Sequence, residues 1–391
     1  MSQIDYATPS RKASSNVLLT QSFALLIDAY RQVNANKLFW VTLALSLLVA
    51  GAFGLVGFGD EGMTLPFFGP VLPPAVFAYI DKATFYKLMF LTFGVGIWLT
   101  WAQIILALVS TANIFPDLIS GGSVDLYLSK PIGRLRLFVT KYIFGLMFVA
   151  LQATAFTLAS FLVLGLRGGV WSPGIFLAVP VVTIYFSFLF CVLVLIGVVT
   201  RSALASILLT ILLWFVLFLV NATEAGLLAF RVAAEQQVEQ IDGSVQRIDE
   251  QEAEWLANPD KAPGKVFQET RLAIRDGEKE RRAEAVDTAD KLVLAHRVAF
   301  AVKAPLPKTS ETAELMRRWI VGSADLGELE EAAQQQEERR GGGLDPGDPS
   351  VQLELRERFD DRSALFVLGT SLGFEAIVVL LAAWIFARRD Y

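Results

Sequence analysis

Six stretches of this chain, about 38–58, 86–111, 137–166, 174–199, 202–228 and 363–387, are long runs of Leu, Val, Phe, Ile and Ala with few or no charges. A helix of roughly 20 mostly apolar residues crosses the hydrocarbon core of a bilayer, so each stretch predicts a membrane-spanning helix. Ahead of them, "NVLLTQSFALLIDAYRQVNANK" places Leu19, Phe23, Leu26, Tyr30 and Val33 at spacings of 4, 3, 4 and 3. Gln21, Asp28, Arg31 and Asn34 fall elsewhere on the wheel. That is the pattern of an amphipathic helix lying in the membrane interface, as an anchor for the first span or as a gate that shifts with the spans. The 37-residue polar and amphipathic lead-in, without a small-x-small cleavage site, argues against a removed signal peptide. The expected fold is an all-α integral membrane protein, with residues 1–37 as N-terminus, 38–230 holding five spans, 231–361 as an insert and 362–391 holding the sixth span and C-terminus.

Charge divides the chain in two. Residues 231–361 carry 29 Asp/Glu and 19 Lys/Arg, a balance of −10, which leaves 10 acids and 15 bases, +5, for everything else. Around the short connections, Arg11, Lys12, Arg31, Lys37, Lys130, Arg134, Arg136, Lys141, Arg201, Arg388 and Arg389 collect on one side. Asp60, Glu61, Asp81, Lys82, Lys87 and Arg167 fall on the other. Lys/Arg excess in short loops marks the cytoplasm. Both termini are therefore expected inside and the acidic insert outside. The acidity belongs to the insert and gives no reason to expect nucleic acid. One Cys, Cys191 in an apolar run, allows no intramolecular disulfide or thiolate metal cluster, and one His, His296, allows no multi-histidine metal site. Both are expected to be ordinary packed or interfacial residues. The absence of disulfide chemistry and of targeting signals points to a bacterial inner membrane.

Between the second and third spans lies "DLISGGSVDLYLSKPIGRLRLF", residues 117–138. Ile114, Phe115, Leu118 and Ile119 form a short apolar face, Gly121-Gly122 permit a turn, and Val124, Leu126 and Leu128 resume until Lys130-Pro131 ends the segment. Two short amphipathic pieces joined by a turn make a docking surface. The ISGGS similarity to an ATPase signature loop is a decoy. The chain has no G-x-x-x-x-G-K-[ST] loop, and Gly264-Lys265 is followed by Val266, so nothing would cradle Mg-ATP. "ISGGSVDLYLSKPIGRLRLFVTKYI" resembles the cytoplasmic loop of type-2 ABC transporter permeases, and "WIFARRDY" at Trp384–Tyr391 resembles that family's aromatic-x-x-Arg-Arg-Asp finish. The resemblance covers residues 1–230 and 363–391. It implies a permease half of an exporter, without ATPase activity or cofactor of its own. ATP would be bound by a separate cytoplasmic ATPase docked on a coupling helix within 113–131, with Gly121, Asp125, Leu126, Ser129, Lys130 and Pro131 at the contact. A second permease half, identical or not, would complete the transporter. The insert exceeds the family's usual outer loop.

Glu375 lies 12 residues from each end of the last apolar stretch. A carboxyl at that depth is costly and marks a functional or paired group; Gln103 and Gln152 are candidate hydrogen-bond partners. Glu224, near the outer end of the fifth span, is expected to reach the interface. The Glu/Lys/Arg/Ala-rich insert predicts paired long helices continuing from the fifth span, with carboxylates forming a solvated face. Gly341-Gly342-Gly343, Pro346 and Pro349 make a linker. The insert is a candidate lid or contact for an extracytoplasmic protein. Two other functions remain open: a secondary transporter coupled through Glu375, and a membrane scaffold or sensor that moves no solute.

Overall fold

The computed structural model describes residues 37–59, 62–65, 69–72, 82–120, 133–259, 262–321, 347 and 349–389. The expected N-terminal interface helix lies outside them, as do Gly121, Asp125, Leu126, Ser129, Lys130 and Pro131. Among the described residues, six helical stretches are long and apolar enough to cross a membrane: Lys37–Leu55, Lys82–Ile119, Arg134–Gly168, Pro173–Thr200, Ala203–Ala257 and Ala364–Arg388. The chain is a multi-pass, predominantly helical membrane protein. The architecture follows from solvent: hydrocarbon offers no partner to backbone N–H and C=O groups, and a helix satisfies them internally.

The described chain forms two compact units. In the first, α1 (Lys37–Leu55) buries Phe39, Thr42, Ser46 and Ala50, a strip of mostly small side chains at helical spacing. It lies along α5 (Arg134–Val163), with Phe39 against Phe148 at 5.1 Å between ring centroids. Apolar side chains such as Val41 and Leu48 point outward, as lipid-facing positions should. The second span runs through α2 (Lys82–Met89), a π-helix (Phe90–Ala102), α3 (Gln103–Thr111) and the short α4 (Ile114–Ser120). The fourth span, α6 (Ala178–Thr200), is the most buried of the six. It approaches α5 so closely that a Cβ on Gly145 would lie 2.3 Å from the Phe190 ring.

The all-helical expectation misses one small element. Between the first two spans, β1 (Gly57–Gly59), β2 (Gly62–Leu65) and β3 (Gly69–Leu72) form an antiparallel meander, with Phe58 opposite Met63 and Thr64 opposite Pro70. Phe58 stacks on Phe85 at 4.4 Å, and Tyr86 donates to Val56 O at 2.6 Å. Glycine and proline deny this segment helix propensity, and aromatic packing holds it instead.

In the second unit, α7 (Ala203–Ala257) continues past its apolar part and α8 (Lys265–Lys303) returns beside it. Arg275 meets Glu252 at 2.6 Å and Asp249 at 3.4 Å, Arg271 donates to Gln251 at 2.6 Å, and Arg282 forks onto Asp242. Near the turn Trp255 packs edge-on to Phe267. The insert therefore opens as a long helical hairpin. α10 (Pro349–Asp360) packs Val351 and Leu355 against Leu228, Val232 and Ala233. Most of α9 (Thr309–Val321) and of α11 (Ala364–Arg388) belongs to the first unit.

Candidate functional site

Three constellations of polar groups are built by residues far apart in sequence. The first is at Glu375 on α11. Its Oε1 accepts from the Tyr142 hydroxyl of α5 at 2.7 Å, and its Oε2 accepts from the Ser187 hydroxyl of α6 at 2.7 Å. Tyr142 is fixed in turn by the Phe190 ring, 5.1 Å away. The carboxyl ties three spans together. This corrects the expectation that Gln103 and Gln152 serve it. Gln152 instead donates to Thr42 Oγ1 of α1, and the Gln103 amide, 1% exposed, has neither polar atom bonded. Hydroxyls won because Tyr142 and Ser187 sit on the helix faces that meet α11.

The second constellation surrounds Glu224, whose side chain is fully buried. Oε2 accepts from Lys303 Nζ at 2.8 Å, while Oε1 accepts from His296 Nε2 at 3.2 Å and from Arg362. His296 Nδ1 faces Arg231 Nη1 at 3.5 Å. With its proton on Nε2 the ring can accept from Arg231 and donate to Glu224. Arg362 also lies over the Phe359 and Phe300 rings, at 4.7 and 5.5 Å from their centroids. Arg231 pairs with Glu235 at 2.8 Å, and Arg358 bridges Glu235 at 2.5 Å and Glu354 at 2.6 Å. Burial opposes the Arg358 charge, but Glu235 and Glu354 outweigh it and lift the pKa above that of an ordinary arginine. The network joins α7, α8, α10 and the residues just before α11. His296 thus has a specific polar role that its solitary place in the sequence did not announce. Separations of 72, 79 and 138 residues from Glu224 leave no local signal; only the hairpin register could have suggested the first two.

The third lies where α4 meets the ends of three spans. Phe115 packs on Phe138 of α5 at 5.1 Å and edge-on to Phe386 of α11 at 6.4 Å. Pro116 sits against Gly197 of α6, where an added Cβ would come within 3.4 Å of the proline ring. Arg134 donates to the carbonyls of Ala387 and Arg389, and Arg389 to those of Val198 and Val199, at 2.9 to 3.3 Å. These arginines satisfy carbonyls that helix C-termini leave open. In the sequence they stand out as basic flanks and as members of the two motifs quoted above. Among the described residues no group of three or more His, Cys, Asp or Glu could hold a metal ion.

Comparison with protein-family models, with curated proteins and with solved structures finds no match for the chain.

Proposed function

We propose that this chain is the membrane subunit of an ATP-driven exporter of the type-2 ABC permease kind. In this reading it works with a second permease half and with separate cytoplasmic ATPases that bind and hydrolyse ATP. The observation that carries the reading is the anchoring of α4. It leads directly into the segment with the family-like loop, and Phe115 and Pro116 seat it on the ends of the third, fourth and sixth spans. A short helix seated on three spans can pass a push from an ATPase into the bundle as a rigid-body movement. The six apolar helices and the basic flanks agree with an inner-membrane protein whose termini face the cytoplasm and whose hairpin faces outward. The substrate path would run between the two halves.

The test is to purify the tagged chain from its native membranes in mild detergent, beside Asp125→Ala and Lys130→Ala variants. A stoichiometric ATPase that is lost or depleted in the variants supports the reading. A chain that purifies alone, or with an ATPase indifferent to both substitutions, removes it. Glu375 supports a second reading, a transporter coupled through that carboxyl, because an ionisable group within a span is costly to keep there. That reading requires solute flux driven by a proton gradient without ATP and abolished by Glu375→Gln.

A further inference from the structure

One face of α8 changes character within a single turn. Glu284, Asp287 and Lys291 are exposed on it. Leu294, Val298 and Val302 follow, each more than half exposed. Helical spacing puts all six on one side of the helix. On α7 the same change falls after Phe230. The exposed apolar side chains there run through Phe215, Phe218 and Leu219 to Phe230, and the next exposed residues are Glu239 and Gln240. The two changes are level, because Arg231 Nη1, beside Phe230, faces His296 Nδ1, two residues from Leu294, at 3.5 Å. A helical hairpin in water has no reason to stop exposing charge on both arms at one height. A membrane surface supplies that reason, since a contiguous exposed apolar patch marks a protein or membrane contact.

The course of the chain beyond Leu294 agrees. Phe300 stacks on Phe366 at 6.0 Å between centroids, just inside the membrane-crossing stretch Ala364–Arg388. The Lys308 N–H donates to Ser371 Oγ at 3.0 Å, about two turns inside that stretch. Lys308 is fully buried, and a cation at such a depth needs partners. Its Nζ donates to Ala304 O at 2.9 Å and to Thr370 Oγ1 at 2.6 Å, and lies 4.6 Å from the centre of the Phe366 ring. Pro305 and Pro307 follow the end of α8 at Lys303 and cannot extend it. Arg297, the one charged residue exposed between Leu294 and Val302, has a stem long enough to lie along hydrocarbon while its guanidinium reaches the headgroups.

We propose that the last three turns of α8 stand in the bilayer, with Leu294, Val298 and Val302 against the acyl chains of the leaflet on the hairpin side. Lipid fits this face better than a protein does. A partner protein has no cause to end its contact where α7 also turns from apolar to charged, whereas hydrocarbon ends at one plane for both helices. The hairpin is thus rooted in the membrane along both arms and not along α7 alone, so a large part of its apolar surface is covered without any second protein. This holds or fails without the ATPase and without the permease reading.

The experiment uses the full chain in phosphatidylcholine nanodiscs. Cys191 is fully buried, so a bimane fluorophore goes to one introduced cysteine at a time. Val298→Cys and Val302→Cys lie on the apolar face, Glu284→Cys on its charged continuation, and Phe218→Cys on the fifth span. All four positions are exposed, so each variant should keep the fold. Two quenchers are compared, a phosphatidylcholine with a nitroxide on its acyl chain and iodide in the buffer. The Val298, Val302 and Phe218 labels are expected to lose several-fold more fluorescence to the nitroxide lipid than the Glu284 label, which iodide should quench most. Val298 and Val302 labels that follow Glu284, open to iodide and indifferent to the lipid, overturn the proposal and stand α8 in water. Labels that neither quencher reaches overturn it too, because a second copy or another part of the protein then covers the face. A Glu284 label quenched by the lipid as strongly as Val298 removes the boundary at Leu294.

Discussion

Glu224 is a buried anion held by Lys303, Arg362 and His296, and its stability depends on keeping them all. Removing the shared partner of buried cations leaves uncompensated charge, at about 3–5 kcal/mol. Glu224→Gln should therefore lower the melting temperature of the purified chain sharply, because Lys303 and Arg362 lose their carboxylate together. Lys303→Met should cost less, because Arg362 still compensates Glu224. If Lys303→Met melts lower than Glu224→Gln, Glu224 is not the anion that the two cations share. Glu375 should behave more mildly. Glu375→Gln keeps a carbonyl for Tyr142 or Ser187, whereas Glu375→Leu strands the Tyr142 hydroxyl, Ser187 keeping Ile184 O at 2.8 Å, and should cost about 1–3 kcal/mol in thermal unfolding. Both carboxylates were visible in sequence as misfits in apolar surroundings. Their partners were not, since Tyr142 and Ser187 precede Glu375 by 233 and 188 residues.

At the scale of elements, the closest approach is α5 on α6 at Gly145. A methyl there would press into the Phe190 ring at 2.3 Å, and overpacking a close contact costs about 1–3 kcal/mol. Gly145→Ala should destabilise by that order. Phe190→Leu in the same chain should relieve part of it, which a double-mutant cycle of melting temperatures would measure. The hairpin of α7 and α8 works differently. Its ladder of Arg275, Arg271 and Arg282 against Glu252, Gln251 and Asp242 is largely exposed to water, where single ion pairs add little. The ladder sets register more than strength. Composition made the hairpin legible, because Glu/Lys/Arg/Ala-rich runs of that length form little else. The π-helix of the second span was not legible: its residues read as an ordinary apolar run, and the extra residue per turn appears only when Phe90, Gly94 and Trp98 meet Phe156.

For the whole molecule, the single cysteine offers a direct test of orientation. Cys191 is fully buried, so a cysteine introduced elsewhere is the one that reacts. Gln246→Cys on the exposed side of the hairpin should label with a membrane-impermeant maleimide in intact spheroplasts. Asn113→Cys, beside α4, should label only after permeabilisation. Labelling in the reverse order would invert the topology and remove the coupling role proposed for 113–131. By itself, the sequence determined the number and place of the apolar spans, the helical insert and where the basic flanks lie. These are properties of contiguous residues, set by the length of hydrocarbon a helix must cross and by the charge at its ends. Only the tertiary structure decided that Gln103 and Gln152 leave Glu375 alone, that Glu224 is buried among three donors, and that Arg134 and Arg389 close the ends of α6 and α11. Those outcomes depend on which helix faces meet and in what register, and such contacts join residues that no local pattern connects.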